Sequence, residues 1–286
     1  MKIVRSVSDL RAVVRSARDA GSRIGLVPTM GALHEGHLAL VRRAGEASGF
    51  VVVSVFVNPT QFDDPADLER YPRDEPRDAA LLRGAGAGVL FAPPVEEVYP
   101  VGFATSVEVA GLTATLEGAI RGPAHFRGVA TVVTKLLNMV EPDDAYFGQK
   151  DAQQAIVIRR LVRDLDLPVR IEICPTVRES DGLAMSSRNV RLDADARRRA
   201  PAIARALRAV QAAVAEGGHD ATLALAAGEA ILAESGIQPE YFVAVSAATL
   251  EPVDRISDET LVAIAARVGG VRLIDNVLVH PIAHER

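Results

Sequence analysis

Two histidines at the start of a predicted helix are the first residues that could do chemistry. His34 and His37 lie in the segment Pro28–His37, where a predicted strand turns into a predicted helix. Their spacing of three places both imidazoles on one helical face. The start of a helix also offers unpaired N–H groups and a partial positive charge to an anion. The segment therefore predicts a phosphate site. Two surface histidines beside a helix cap are one alternative. A metal pair is another, although His-x-x-His lacks the i, i+4 spacing of zinc proteases and no third ligand is evident nearby.

A lysine at a second strand-to-helix junction is the next candidate. Lys150 is one of only three lysines among the 32 basic residues, and it lies in Tyr146–Asp151. An ammonium group is a point charge suited to phosphate. The alternative is a solvated lysine at a helix start.

Hydroxyl and amide side chains supply the other candidates. Met185–Arg188 contains two serines and an arginine that could close over a polyphosphate, or the serines could cap the next helix. Gln61 and Gln154 are uncharged and could orient a carboxylate without forming an ion pair that would lower its reactivity. Alternatively, each is an ordinary surface glutamine.

A glycine-rich segment is a weaker signal. Gly84–Gly88 follows a predicted helix and precedes a predicted strand, which is the reverse of the dinucleotide-binding order. It predicts a turn that ends a helix. The sequence contains no Walker-type phosphate loop.

Strand and helix patterns alternate through the first two thirds of the chain. This alternation predicts an α/β fold, a Rossmann-like doubly wound parallel sheet. The predicted strands are Ile24–Thr29 as the first, then Phe50–Asn58, Val89–Ala92, Ala145–Gly148 and Val169–Pro175. The predicted helices are His34–Ser48, Asp74–Arg83, Val129–Val140 and Asp151–Leu165.

The last third predicts a smaller α+β domain. Helices are predicted over Asp195–Glu216 and Ala221–Ser235, followed by strands around Tyr241–Ser246, Leu261–Arg267 and Arg272–Val279. We therefore expect one domain over residues 1–177, a linker over 178–185 and a second domain over 186–286.

Composition restricts the function. The chain has 286 residues, 49% of them hydrophobic, and a formal net charge of -5, which gives no electrostatic reason to bind nucleic acid. The single cysteine, Cys174, cannot form an intrachain disulfide, so a cytoplasmic location is expected. The longest strongly apolar run, Phe50–Val57, is too short to span a bilayer, so no membrane partner is expected.

Six segments, taken in their order and spacing, make the chain resemble the pantothenate synthetase family, the pantoate:β-alanine ligases. The segments are Pro28–His37, Val57–Phe62, Tyr71–Asp74, His125–Val129, Phe147–Asp151 and Met185–Asn189. The resemblance implies a nucleotidyltransferase-type Rossmann domain with a smaller C-terminal lid domain, in a homodimer. It also implies a reaction in which ATP and (R)-pantoate, with Mg²⁺, give pantoyl adenylate, which β-alanine converts to pantothenate and AMP.

The resemblance further implies roles for individual residues. His37 takes the place of the proton donor, with His34 and Lys150 as the other catalytic residues on the phosphates. Gln61 and Gln154 take the places that hold pantoate, and Gln61 also lies near β-alanine. Asp151 is placed near the ribose, and Arg121 near the phosphates. The complete ATP-binding set is Met30, Gly31, Ala32, Leu33, His34, Glu35, Gly36, His37, Gly148, Gln149, Lys150, Asp151, Val177, Met185, Ser186, Ser187 and Arg188. No residue is assigned to the metal.

Two departures from the family pattern are visible. Ala152 stands where the family usually has an aromatic residue, and Cys174 stands where an aliphatic residue is common. We expect both to alter packing beside the site and to leave the reaction unchanged.

Overall fold

A computed structural model describes residues 1–62 and 65–281. The chain forms two compact units. The first comprises Met1–Gln149 and Gln154–Pro175, and the second comprises Lys150–Gln153 and Thr176–Arg286. The domain limits drawn from the sequence stay a prediction.

The first unit is built on a parallel sheet of six strands. The strands are β1 (Lys2–Val4), β2 (Ile24–Thr29), β3 (Phe50–Val55), β4 (Val89–Phe91), β5 (Asp144–Gly148) and β6 (Arg170–Cys174). Their spatial order is β1-β4-β3-β2-β5-β6, and all of the pairings are parallel. The order reverses between β2 and β5, because the chain continues from β2 towards one edge and from β5 towards the other. A switch point of this kind is where open α/β sheets bind ligands.

Helices cover the sheet. They are α1 (Val7–Asp19), α2 (Glu35–Ala47), α3 (Pro65–Arg70), α4 (Glu75–Gly84), α5 (Val95–Val98), α6 (Glu117–Arg121), α7 (Pro123–Val140) and α8 (Ala152–Asp164). Side chains of α2 and α4, including Val41 and Leu82, share one buried core with Val27 and Val53 of the sheet. Successive side chains of a strand point to opposite faces, so Leu26 and Val52 serve the other face.

The second unit places helices on a small antiparallel sheet. The helices are α9 (Ala194–Arg199), α10 (Ala202–Ala215) and α11 (Ala221–Glu234), and the strands are β7 (Pro239–Ser246), β8 (Thr260–Val268) and β9 (Val271–Val279). The strand order is β7-β8-β9. Ile203, Leu207 and Val210 of α10 pack with Val262 and Ile264 of β8 in one core. The predicted fold class, a parallel α/β sheet with a smaller α+β domain, is confirmed.

The structure corrects three of the predicted elements. β1 precedes the strand that was expected to come first; it has only three residues, too few to show a pattern. The single helix predicted over Asp195–Glu216 is wrong, because Pro201 lies between α9 and α10 and has no N–H to continue the helix. Helix α7 begins six residues before the predicted Val129, because Pro123 occupies its first turn, where the missing N–H costs nothing.

The described part of the chain contains no helix that is both long enough and apolar enough to cross a membrane.

Candidate active site

The loop between β2 and α2 has a backbone that few residues tolerate. Gly31 has φ +82° and Ala32 has φ +51°, both in the left-handed region. A Cβ on Gly31 would lie 3.0 Å from both Asp78 Oδ2 and Val55 Cγ1. Glycine at position 31 is therefore needed for its conformation and for the close approach of its neighbours.

A buried carboxylate holds this loop. Asp78 of α4 is 1% exposed and accepts hydrogen bonds from the backbone N–H groups of Ala32 and Leu33, both at 2.9 Å. Arg77 donates to the Leu33 carbonyl oxygen at 3.2 Å. These two backbone N–H groups, which precede α2, are therefore already paired with a protein carboxylate. Motif-based reasoning missed Asp78, although an aspartate at an inward-facing position of a helix is a signal that could have found it.

The two histidines are adjacent, but they do not share a helical face. His34 has φ -136° and is the N-cap of α2, so it lies just outside the helix, and His37 is the third helical residue. The His34 Nδ1 accepts from the Gly36 N–H at 3.2 Å, and the His37 Nδ1 accepts from the His34 N–H at 3.4 Å. The ring centroids are 4.1 Å apart. The spacing correctly predicted that the rings come together. Their geometry is that of a capping box, in which the side chains of the N-cap residue and of the third helical residue each accept a hydrogen bond from a backbone N–H.

These caps assign the tautomer of both rings. A nitrogen that accepts a hydrogen bond from a backbone N–H carries no proton, so each neutral ring has its proton on Nε2. Two imidazoles with Nε2–H donors are suited to bind an anion. The part of the chain that the structure describes contains no group of three or more His, Cys, Asp or Glu side chains that could hold a metal ion.

A buried asparagine orients the candidate amide of Gln61. Asn58 is 1% exposed, and its Nδ2 donates to the Gln61 Oε1 at 2.8 Å and to the Gly128 carbonyl oxygen at 3.1 Å. Its Oδ1 accepts from the Thr60 N–H at 3.3 Å and from the Tyr99 hydroxyl at 2.8 Å. The backbone carbonyl and the backbone N–H allow only this orientation of the Asn58 amide. Gln61 Oε1 therefore accepts a hydrogen bond from Asn58. The Nε2 of Gln61 is the part of the amide that donates hydrogen bonds.

Tyr99 and Gly128 complete this arrangement. Burial raises the pKa of the Tyr99 phenol, so the hydroxyl stays protonated near neutral pH and donates to Asn58. A Cβ on Gly128 would lie 2.4 Å from the Thr60 carbonyl oxygen, so only glycine lets α7 approach the Gln61 turn. Tyr99 lies in none of the six segments that carry the resemblance, whereas Gly128 lies in one of them, His125–Val129.

Gln154 is half-buried near the start of α8. The hydrogen bonds of the described residues do not join its side chain to Gln61.

Arg121 forms an ion pair with Glu117 at 3.1 Å. Glu35 forms an ion pair with Arg42 on the surface of α2.

Three predicted residues line one cavity in the second unit. Lys150, Ser186 and Arg188 surround it together with Leu183, Ala184, Ile203, Arg272, Leu273, Ile274 and Asp275. Arg272 is paired with Glu240 at 2.6 Å. The lining includes an ammonium, a guanidinium and a hydroxyl group, which are groups that bind phosphate, and also the Asp275 carboxylate. The cavity volume is about 10 Å³, which is room for about one water molecule.

The segment Met185–Arg188, which contains the two serines, is held by hydrogen bonds that its own backbone N–H groups donate. The Met185 N–H donates to the Val177 carbonyl oxygen at 2.9 Å, and the Arg188 N–H donates to the Ser186 Oγ at 3.2 Å. The serines do not cap the next helix, because Asp193 is the N-cap of α9 and accepts from the Ala196 N–H. That alternative interpretation of the serines is wrong.

The glycine-rich segment, the end of β5 and Cys174 lie in three separate places of the first unit and its border with Lys150. Helix α4 ends at Gly84 and Gly86 has φ +88°, so the glycine-rich segment is the helix-ending turn that was predicted. Gly148 is the last residue of β5, and Gln149–Asp151 form a short 3-10 turn. Cys174 packs beside the core of α2, and burial raises the pKa of its thiol.

An open parallel sheet with polar side chains beyond the end of a strand at its switch point is the architecture of ligand-binding α/β proteins, among them nucleotide-binding enzymes. Comparison with known proteins shows which family this chain belongs to. The model of the pantoate-beta-alanine ligase family matches residues 2–278. Pantothenate synthetase of Acidiphilium cryptum is 56% identical over 98% of this chain and 100% of its own. The chain therefore belongs to the pantoate-beta-alanine ligase family and joins pantoate to β-alanine in pantothenate biosynthesis.

Solved structures agree with this assignment. The crystal structure of pantothenate synthetase from Thermus thermophilus is similar with a TM-score of 0.91 and 50% identity, covering 98% of this chain and 100% of that one. The pantoate-beta-alanine ligase from Francisella tularensis, complexed with beta-gamma ATP and beta-alanine, has a TM-score of 0.77 and 34% identity, covering 97% of each chain.

Proposed function

We propose that the ligation proceeds through an enzyme-bound pantoyl adenylate. A carboxylate oxygen of (R)-pantoate attacks the α-phosphorus of ATP, forming a new P–O bond, while the bond to pyrophosphate breaks. The amine of β-alanine then attacks the carbonyl carbon of the adenylate; a C–N bond forms, AMP leaves, and the amine gives up a proton. The complex of the Francisella tularensis enzyme with beta-gamma ATP supports ATP as the nucleotide.

The orientation of Gln61 is the observation that carries this proposal. Asn58 engages Gln61 Oε1 at 2.8 Å, which makes Nε2 the part of the amide that can donate to a substrate carboxylate. A neutral donor holds a carboxylate without the strong charge stabilisation of an arginine pair, so the carboxylate keeps its nucleophilicity. We assign Gln61 and Gln154 to pantoate, with Gln61 also near β-alanine.

We assign the phosphates to the imidazoles and to the cations. Attack at phosphorus builds negative charge on the phosphate oxygens and on leaving pyrophosphate, so catalysis depends on placed positive charge and hydrogen-bond donors. In this assignment His34 and His37 donate from Nε2, with His37 as the proton donor. Lys150 and Arg188 act on the phosphates, with Ser186 and Ser187. Met30–Leu33, Gly148–Gln149, Val177 and Met185 contact the nucleotide, and Asp151 lies near the ribose.

Mg²⁺ belongs to this proposal as a charge carried by the nucleotide. The cavity with Lys150 and Arg188 has one carboxylate, Asp275, which Arg178 engages at 2.6 Å, and the described residues hold no acidic or histidine cluster for a metal. Within residues 1–62 and 65–281 we therefore assign no residue to hold the metal. Mg²⁺ bound to phosphate oxygens would add positive charge there. The homodimer, the lid role of the C-terminal domain and the cytoplasmic location stay predictions.

Isotope exchange between ATP and pyrophosphate tests the order of the steps. Exchange should require (R)-pantoate and should proceed without β-alanine, because the adenylate forms before the amine reacts. AMP should appear only after β-alanine is added. A requirement for β-alanine before any exchange would refute the adenylate. An enzyme that only transfers nucleotidyl groups would release pyrophosphate and never AMP, and a nucleotide sensor would give no exchange.

A further inference from the structure

Strand β9 carries a charge where its pattern calls for an apolar residue. Val271, Leu273, Val277 and Val279 belong to the core of the second unit, and Asp275 shares their alternation along the strand. Asp275 is 3% exposed. A carboxylate at such a position must be paired.

Arg178 is the partner of Asp275. Its Nη1 lies 2.6 Å from Asp275 Oδ2 and its Nη2 lies 3.1 Å from Oδ1, which is a two-pronged ion pair. The Asn276 N–H donates to the same carboxylate at 2.8 Å. Apolar residues of similar volume usually stabilise a core at least as well as a buried ion pair does. The pair contributes something that apolar residues would not: it fixes one direction for Arg178.

Arg178 begins the turn that leads to the serines. It forms an antiparallel bridge with Ala184, and its Nη1 also donates to the Gly182 carbonyl oxygen at 3.1 Å. The far end is secured by Asn189, whose Nδ2 donates to the Ala184 carbonyl oxygen at 3.1 Å. Ser186 and Arg188 lie between these two anchors. Asp275, through Arg178, is therefore one of the residues that hold their loop, together with Arg197, which pairs with Glu179 and Asp181.

Asn276, which follows Asp275 on β9, contacts the main chain of Lys150, the second proposed phosphate-binding cation. Asn276 Nδ2 donates to the main-chain carbonyl oxygen of Lys150 at 3.0 Å. Lys150, Arg188 and Asp275 line the same cavity. Asn276 of β9 thus contacts Lys150 directly, and Asp275 reaches the segment that carries Arg188 through Arg178.

We propose that Asp275 and Asn276 are positioning residues for adenylation. Asp275 acts through Arg178 on the Ser186–Arg188 loop, and Asn276 acts on Lys150. This inference rests on the proposed function, in which Lys150 and Arg188 act on the phosphates of ATP.

A double-mutant cycle in the full chain tests the role of Asn276. The readout is kcat for pantoate-dependent ATP–pyrophosphate exchange, with KM for pantoate measured alongside. Lys150→Ala should lower kcat by roughly 10²- to 10³-fold, the scale of losing one preorganised charge donor. Asn276→Ala should lower it about 10-fold. The double variant should be within about 3-fold of Lys150→Ala, because a residue that acts through Lys150 loses its effect with Lys150. KM for pantoate should stay within about 2-fold in each variant, since no pantoate contact changes.

A second comparison tests Asp275 apart from stability. The double variant Arg178→Met with Asp275→Leu replaces the ion pair by apolar side chains and should remain folded while kcat falls about 10-fold or more. Asp220→Ala is the matched control, because it removes the N-cap of α11 in the same unit, far along the chain from the cavity residues. Its kcat should be unchanged even if its thermal midpoint falls. If the apolar pair does not fold, Arg178→Lys decides, since lysine keeps the charge but loses the second prong.

Normal exchange in Lys150→Ala would contradict the proposed role of Lys150 itself. A strong loss in Lys150→Ala together with normal kcat in Asn276→Ala would overturn the positioning role, as would effects that multiply in the double variant. Normal kcat in a folded apolar-pair variant, or in Arg178→Lys where the former does not fold, would overturn the role of Asp275.

Discussion

At the scale of single residues, His34 has two separable tasks. Its Nδ1 caps α2 by accepting from the Gly36 N–H, and its Nε2–H is proposed to bind phosphate. Asparagine also caps helices well, but it cannot reach as far as an imidazole. We therefore expect His34→Asn to keep most of the stability and to lose adenylation, whereas His34→Ala should lose both. The cap should account for about 1 kcal/mol of unfolding free energy.

His37 should follow the same chemistry in the two half-reactions. With the triphosphate present, His37→Ala should reduce single-turnover adenylation by roughly 10²-fold or more, while the affinity for pantoate changes little. When pantoyl adenylate is supplied preformed, pyrophosphate has already left, so capture by β-alanine should be affected less. Equal losses in both half-reactions would count against a phosphate role. Stoichiometric zinc in the wild-type protein would support a metal site instead.

Asn58 should control the affinity for pantoate through the orientation of Gln61. Asn58→Asp preserves the shape but puts an acceptor against Gln61 Oε1 and against the Gly128 carbonyl oxygen. Either the glutamine amide turns or the contact opens, so KM for pantoate should rise about 10-fold or more, the scale of one lost hydrogen bond to a charged group. KM for ATP should change much less. Tyr99→Phe is the matched control: it removes one donor to Asn58 Oδ1, leaves the backbone contacts that fix the amide, and should alter KM for pantoate only slightly. Equal effects on the two substrates would show a general loss of structure.

At the scale of elements, α4 should determine the shape of the β2–α2 loop. Asp78→Asn presents an amide to two backbone donors and can satisfy one of them at most, which should cost about 1–3 kcal/mol of unfolding free energy and lower the rate of adenylation. Gly31→Ala adds a Cβ at 3.0 Å from the Asp78 carboxylate in a left-handed conformation, so it should disturb the same loop. Asp74→Ala is the control, since Asp74 caps α4 and makes no contact with the loop among the described hydrogen bonds.

Denaturant unfolding and exchange kinetics, measured together, check this prediction. The two loop variants should lose exchange activity beyond what their loss of stability explains at temperatures where they are fully folded. Asp74→Ala should lose stability alone. If Asp78→Asn retained wild-type exchange, α4 would have no role in shaping the site.

The elements that the sequence predicted well are those with a local pattern. The parallel strands repeat β-branched apolar residues, and the predicted bounds of α2 and α4 lie within one residue of those observed. The contacts that shape the site are different, because they join residues far apart in the chain. Ala32 meets Asp78, and Lys150 meets Asn276, and neither pairing has a local signature. The reciprocal cap of His34 and His37 was local, yet the side chains with the highest capping preference are Ser, Thr, Asp and Asn, so a histidine cap was not anticipated.

At the scale of the whole molecule, positive charge is concentrated rather than abundant. The chain carries a net charge of -5, yet one cavity is lined by Lys150, Arg188 and Arg272. A general field that attracts any polyanion would come from a basic surface. Arg272 is paired with Glu240 and the lining also includes Asp275, so Lys150 and Arg188 are the cations that we assign to the substrate phosphates. This distribution agrees with a small phosphorylated substrate.

Thermal stability should therefore report the adenylate in the intact protein. A ligand that binds only the folded state stabilises it by RT ln(1 + [L]/Kd), which is about 2.7 kcal/mol at a hundredfold excess over Kd. For a chain of this size each kcal/mol raises the thermal midpoint by about 2–4 °C. ATP with (R)-pantoate and pyrophosphatase should raise the midpoint by more than the sum of the two separate effects, because the intermediate combines both sets of contacts. β-Alanine should reverse most of the rise by converting the adenylate to products.

An ATP analogue with a methylene bridge between the α- and β-phosphorus is the control, since it binds but cannot release pyrophosphate. It should give no such excess. A midpoint with both substrates that merely equals the sum, or one that β-alanine leaves unchanged, would contradict a retained adenylate.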